Sequence, residues 1–172
     1  MKKILLYIVG GIVGLIALTG IVGAMLDPVV HTKVSIEITK PPAQVFALVR
    51  EMELVEKWAN VEPGLEKMSV VKVNDSPRKY TVTSAGMESA WEEVEAREPN
   101  FLHTRMLSLT MDVAGDWRTT IEAVGAAGCR VSIEIDMRFG NPFFRPMGHL
   151  MDSKAEEMKI LSALKKYLEA RP

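Results

Sequence analysis

The stretch Val34–Trp58, VSIEITKPPAQVFALVREMELVEKW, decides the fold. Val34, Ile36 and Ile38 alternate with Ser35, Glu37 and Thr39, the period-two pattern of a strand with one buried face. Pro41 and Pro42 cannot continue a hydrogen-bonded ladder, but proline fits the first turn of a helix. Val45, Phe46, Leu48 and Val49 then recur at helical spacing, and an acidic helical segment closes on Trp58. The stretch reads as strand, turn and short helix.

Downstream, a turn over 60–64 built on Pro63-Gly64 leads into a run of antiparallel strands. The first spans Met68–Val73 and ends at Asn74-Asp75-Ser76-Pro77, a strong turn signal. Lys79–Ala85 is rich in Thr, Val and Tyr and reads as the next strand. Glu92, Glu93, Glu95 and Ala96 favour helix by propensity, yet Ala90, Trp91 and Val94 make a poor helical stripe, so Met87–Arg97 is assigned as a strand. Phe101–Thr110 follows, then a turn or bulge over Met111–Gly115, then Trp117–Val124. After the hairpin loop 125–128, Cys129–Phe139 carries the clearest alternation in the chain: Val131, Ile133, Ile135, Met137 and Phe139 against Ser132, Glu134, Asp136 and Arg138. Gly140-Asn141-Pro142 breaks it.

Met151–Ala170 is expected as a long amphipathic helix. Met151, Ala155, Met158, Leu161, Leu164 and Leu168 form its apolar stripe, with Lys154, Glu157, Lys165, Lys166 and Glu169 off it. Packed across a curved sheet, such a stripe leaves a cavity between helix and strands. The expected fold class is α+β, a curved antiparallel sheet wrapped around a C-terminal helix.

The opening unit, through Ile36, Pro41, Pro42, Val45, Phe46 and Trp58, resembles the start of the SRPBCC superfamily, which includes START lipid-transfer domains and polyketide cyclase/dehydrase-like proteins. A second match is Gly128-Cys129-Arg130-Val131 leading a strand, with Met151–Leu168 as the closing helix. The resemblance implies a helix-grip domain over 33–172, binding a hydrophobic small molecule or lipid, or acting as a cyclase or dehydratase on an apolar carbonyl compound. One fold hosts many activities, so the resemblance names no reaction.

Ile4–Leu26 holds no charged residue. As a helix these residues would span about 34 Å, enough for a hydrocarbon core of about 30 Å. The run is apolar on all faces and holds five glycines, unlike a buried soluble helix. Its length favours a retained single-pass anchor over a cleaved signal peptide, for which Val22-Gly23-Ala24 would serve as the cleavage site. Lys2 and Lys3 before it and Asp27 after it place the domain on the extracytoplasmic side. Gly10 and Gly14 have the spacing that lets two membrane helices pack closely, which would make a homodimer. The organisation expected is an anchor over 1–26, a tether over 27–32 and the domain from 33 onward.

All 22 acidic residues follow Leu26, against 19 basic ones, so the domain carries no nucleic-acid footprint. His31, His103 and His149 lie far apart and Cys129 is the only cysteine, which argues against a metal site and excludes an intrachain disulfide. No phosphate-cradling glycine loop or nucleophile elbow occurs, so no cofactor is expected. Under the enzyme alternative His103 and Arg105, two apart on one strand with Phe101, Leu107 and Leu109, face inward as acid–base and positioning groups. Glu88, Glu92 and Glu93 are candidate partners for Arg105. The ligand-lining candidates are Trp58, Met87, Trp91, Met106, Trp117, Met137, Met151 and Met158, methionine being pliable against varied apolar shapes. Phe143, Phe144 and Met147 would gate the cavity mouth or touch the bilayer. A third alternative, an interaction module for a membrane partner, predicts a filled core.

Overall fold

The computed structural model describes residues 2–60 and 63–170. Helix α1 (Lys2–Met25) precedes strand β1 (Val29–Ile38), and the quoted stretch continues as α2 (Pro42–Arg50), a 3-10 turn (Met52–Leu54) and α3 (Val55–Ala59). Six strands follow: β2 (Met68–Asp75), β3 (Arg78–Ser84), β4 (Met87–Arg97), β5 (Phe101–Ser108), β6 (Val113–Val124) and β7 (Gly128–Phe139). Helices α4 (Arg145–Leu150) and α5 (Ser153–Glu169) complete the chain. All seven strands form one antiparallel sheet in the order β1-β7-β6-β5-β4-β3-β2. This is the α+β helix-grip architecture: the concave face is covered by α2, α3 and α5.

Pro41 and Pro42 stand at the N-cap and N1 of α2, which buries Val45, Phe46 and Leu48. The core joins these to Val34 and Ile38 of β1, Ile121 of β6, Val131, Ile133 and Ile135 of β7, and Leu161, Leu164 and Leu168 of α5. Cys129 is fully buried among them, and burial pushes its thiol up, away from the reactive thiolate. Thr39 at the end of β1 donates from its backbone N–H (2.9 Å) and hydroxyl (2.7 Å) to Glu169, pinning the C-terminal turn of α5. The free edge of β2 is covered in part by α3. Glu56 accepts from Val70 N–H, and the Asn60 amide both accepts from Met68 N–H (2.9 Å) and donates to Met68 C=O (2.8 Å), satisfying groups that an open edge would expose. Ala85 and Gly86, both at positive φ, make the two-residue loop between β3 and β4, the backbone that a tight hairpin demands.

Several expectations change. The tether over 27–32 shortens to Asp27-Pro28, because Val29–Thr32 already pair with Ile135–Arg138 of β7. The turn over Met111–Gly115 ends at Asp112: Val113 and Gly115 enter β6 opposite Phe139 and Met137. The segment before the last helix contains α4, and α5 starts at Ser153 rather than Met151, because Asp152 caps it by accepting from Ala155 N–H at 3.0 Å. In the turn expected over 60–64, Val61 and Glu62 lie outside the described residues, as do the side chains of Lys2 and Lys3.

Helix α1 is long and apolar enough to cross a bilayer, about 36 Å for its 24 residues. Gly10 and Gly14 lie on an open face of it. Its C-terminal end rests on the α4 region. A side chain at Gly20 would touch the Phe143 ring, and one at Gly23 would run into the Pro142 carbonyl. The Arg145 guanidinium donates to Gly23 C=O at 3.3 Å, and His149 Nε2 lies 3.0 Å from Asp27 C=O. Arg145 thus places a cation at the carbonyl end of the helix, where the dipole favours it.

Candidate functional site

The pairing registers fix which side chains share the concave face. On β5 those are Leu102, Thr104 and Met106; on β6, Gly115, Trp117, Thr119 and Ile121; on β4, Trp91. Between this face and α5 lies a cavity of about 310 Å³. Its walls come from Val49 of α2, Met52, Val55 and Trp58 of the following turns, Met68 and Val70 of β2, Val82 of β3, the two tryptophans of the mid-sheet, and Ile160, Leu161 and Leu164 of α5. Trp91 and Trp117 sit ring against ring, 4.6 Å between centroids and tilted by 48°. The Trp117 ring folds over Gly115, where an added Cβ would come within 2.4 Å of it; glycine is required by that close approach.

Few polar groups interrupt these walls. Ser89 Oγ accepts from the Trp91 indole at 2.9 Å. Ser84, Thr104 and Thr119 add hydroxyls. Trp58 Nε1 is buried and has no hydrogen-bond partner among the described residues. The one ionisable lining residue among those described is Glu157, a part-buried side chain in the second turn of α5. Burial pushes its carboxyl up from the ordinary 4.5 to about 7; a hydrogen bond with the Trp117 side chain opposes the rise and the neighbouring Glu156 charge adds to it.

The cavity rim is tied by ion pairs. Arg50 at the end of α2 donates twice to Glu93 of β4, both at 2.9 Å, and Arg78 of β3 donates to Glu51. The Arg50 cation holds the Glu93 carboxyl below the usual range against the opposing effect of burial.

Of the eight lining candidates, Trp58, Trp91 and Trp117 reach the cavity. Met106 and Met137 instead belong to a separate apolar cluster with Val113 and Phe139, toward α4. Met87 and Met151 are exposed, and Met158 packs against the core beside the cavity. Met52 and Met68 line it in their place. Glu157, expected off the stripe, is on it, whereas Ala155 is exposed. The signal was present in the spacing: counting back four from Leu161 reaches Glu157, counting back three reaches Met158, and the helix sets both against the sheet.

His103 and Arg105 face the other way. They lie on the convex side of β5, where both approach Asp116 Oδ1, at 2.7 and 3.1 Å. Burial raises the Asp116 carboxyl, but the hydrogen bonds from His103 and Arg105 outweigh it and hold the group below its ordinary value. The same face carries Arg118–Asp136, Lys33–Glu134 and Arg130–Glu37 pairs, a cross-strand ladder in contact with solvent. Arg105 therefore pairs with Asp116 rather than with Glu88, Glu92 or Glu93. Glu92 pairs with Lys79 and Glu93 with Arg50. The cyclase or dehydratase alternative loses its two named residues by this orientation.

Seven of the large apolar side chains left exposed on the domain gather at one end, while Val71, Val73, Val94 and Val124 are exposed elsewhere on the sheet. That end is marked by Val29, Phe139, Val113, Ser108, Met87 and Ser84, the strand termini nearest α1. Met87, Leu107, Leu109, Phe143, Met147, Leu150 and Met151 are all exposed there, with Leu150 at 86%.

Comparison with known proteins agrees with this architecture. The family profile described as "Polyketide cyclase / dehydrase and lipid transport" matches residues 29–169. The chain belongs to this family. It is thereby an SRPBCC domain with a fold built to hold a hydrophobic ligand. Solved structures with the same fold include a point mutant of norcoclaurine synthase from Thalictrum flavum in complex with a transition-state analogue, at TM-score 0.64 and 12% identity, covering 84% of this chain and 97% of that one. Ara h 8.0201 aligns at TM-score 0.57 and 16% identity, over 83% and 99% of the two chains. A protein from Deinococcus radiodurans aligns at TM-score 0.57 and 16% identity, over 82% and 98%. At these identities the likeness is one of fold. Among curated proteins no match was found.

Proposed function

We propose that this protein is a membrane-anchored module that takes a hydrophobic small molecule or lipid into the cavity between its sheet and α5. The observation that carries this reading is the cavity itself: about 310 Å³, walled by Trp58, Trp91 and Trp117 with aliphatic side chains, and interrupted among the described residues by a single ionisable group. The rival in which the domain serves only as an interaction surface requires a filled core. The family description, which includes lipid transport, supports the same reading.

The anchored half of the proposal rests on the length and apolarity of α1 and on the exposed apolar side chains at the end of the domain where α1 arrives. A side-chain cluster of this kind, beside a helix that enters the bilayer, suits contact with the lipid surface. Asp27-Pro28 is too short a link to hold the domain away from it. The charge asymmetry of Lys2 and Lys3 against Asp27 supports an extracytoplasmic domain.

Native mass spectrometry of the full chain released from detergent tests the cavity. An apolar mass that stays bound to the folded protein and leaves on denaturing extraction is expected. A clean apo mass, unshifted by a lipid mixture, would refute it. Alkaline extraction of membranes tests the anchor: the chain should stay with the bilayer, and release into the supernatant would refute retention.

A further inference from the structure

We propose that the cavity selects an apolar molecule carrying one basic nitrogen, with Glu157 as the counterion of its ammonium group. The inference rests on the hydrophobic-ligand reading and names the chemistry of that ligand.

Three observations converge on it. Among the described residues Glu157 is the only ionisable one lining the cavity, and it stands against walls of Ile160, Leu161, Val55 and the tryptophans. It takes part in none of the ion pairs found among the described residues; the adjacent Glu156 is the one that pairs, with Lys159 at 2.6 Å. A carboxylate in such a place is unfavourable unless a cation or several donors answer it. The Trp117 side chain favours its ionised form but brings no charge to answer it. The answering charge is then left to the ligand.

The second observation is what stands beside the carboxyl. Trp117, its partner, is ring to ring with Trp91, so a carboxylate and two indole rings meet in one corner. Cations are attracted to indole faces, most strongly where water is excluded. A carboxylate flanked by indoles is therefore complementary to an ammonium group. It is mismatched to a ligand carboxylate or phosphate, which Glu157 would repel. Third, the remaining lining hydroxyls of Ser84, Ser89, Thr104 and Thr119 offer no charge of either sign, so discrimination between ligand charges falls to Glu157.

The cavity has room for on the order of ten non-hydrogen atoms, taking about 30 Å³ for each water-sized group. Octylammonium, 1-octanol and octanoate match that size and differ in the head group. Each would be titrated into the full chain in lipid nanodiscs at neutral pH, following tryptophan fluorescence, for the wild type and Glu157→Gln. Comparing probes within each protein, and then between proteins, cancels their partition into lipid. The wild type should bind octylammonium about tenfold more tightly than 1-octanol, the gain of a charge-assisted over a neutral hydrogen bond. Octanoate should bind weakest. In Glu157→Gln the amine should bind no more tightly than the alcohol.

Equal binding of amine and alcohol by the wild type overturns the inference while leaving the hydrophobic-ligand reading intact, whatever the variant does. An amine preference that survives in Glu157→Gln overturns it as well. Failure of every probe to bind the wild type overturns both.

Discussion

Replacing Glu157 with glutamine should change how the stability of this protein depends on pH, and the size of the change follows from the cavity. In the folded chain burial moves the carboxyl from 4.5 to about 7. The unfolded chain keeps it at its ordinary value. The raised value means that the fold favours the protonated form. Below about pH 4.5 the group is protonated in both states and costs nothing extra. Between pH 4.5 and 7 the unfolded chain loses the proton first, so stability falls as pH rises. Above pH 7 the carboxylate is ionised in both states and the penalty is complete. At about 1.36 kcal/mol for each pH unit, it amounts to about 3 kcal/mol. Glutamine has the same shape and does not titrate, so burying its amide costs the same at every pH. The Tm of Glu157→Gln minus that of the wild type should therefore rise between pH 4.5 and pH 8 by roughly 10 °C, at about 2–4 °C for each kcal/mol in a chain of this size. Thermal melts of the full chain in one detergent, followed by near-ultraviolet circular dichroism across that range, give the difference directly. Other titrating groups cancel in it. A difference that stays flat from pH 4.5 to 8 would show that Glu157 is solvated in the folded protein and refute its placement in the cavity wall.

Gly115→Ala should push the Trp117 ring out of its position, because the new Cβ would come within 2.4 Å of it; a loss of about 1–3 kcal/mol in denaturant unfolding and a changed tryptophan emission are expected, and unchanged emission would refute the contact. Glu93→Ala should cost about 1–3 kcal/mol by removing both close hydrogen bonds of the part-buried Arg50 guanidinium and leaving it the looser Glu98 contact at 3.8 Å, whereas Lys33→Ala on the convex face should cost under about 1 kcal/mol; equal losses in the same unfolding assay would contradict the difference in burial. Asp152→Ala removes the N-cap of α5 and should cost about 1 kcal/mol, recovered in large part by Asp152→Asn; no recovery would assign the effect to something other than the cap. With Phe143→Glu and Leu150→Glu combined, hydrogen exchange of α4 in nanodiscs should increase while that of β7 holds; unchanged exchange in α4 would argue against lipid contact at that end.

The architecture was legible because its signals are local. Alternation along Val34–Ile38 and Val131–Phe139, the prolines before α2 and the Leu161–Leu164–Leu168 spacing each reflect a backbone period that repeats over a few residues. Together they define strands, helices and their order, and the uncharged run of Ile4–Leu26 needs no partner to be recognised. Alternation also groups side chains by face, and His103 and Arg105 share theirs with Phe101 and Leu107, whereas Leu109 lies past the end of β5.

Which of two faces turns inward is a different kind of fact. On β5 the leucines argued for the wrong face, because Leu107 and Leu109 are exposed at the end of the domain near α1 rather than buried. On α5 the stripe was one residue ambiguous, and the ends of a helical stripe are where a charged residue can be set against an apolar wall. Sequence alone determined the strands, the long helices and their order, since these depend on neighbours a few residues apart. Only the tertiary structure decided that Glu157 rather than His103 meets the tryptophans. Sheet curvature, the Gly115 gap beneath Trp117 and the docking angle of α5 bring those residues together from strands and helix far apart in the chain, and no local period encodes that meeting.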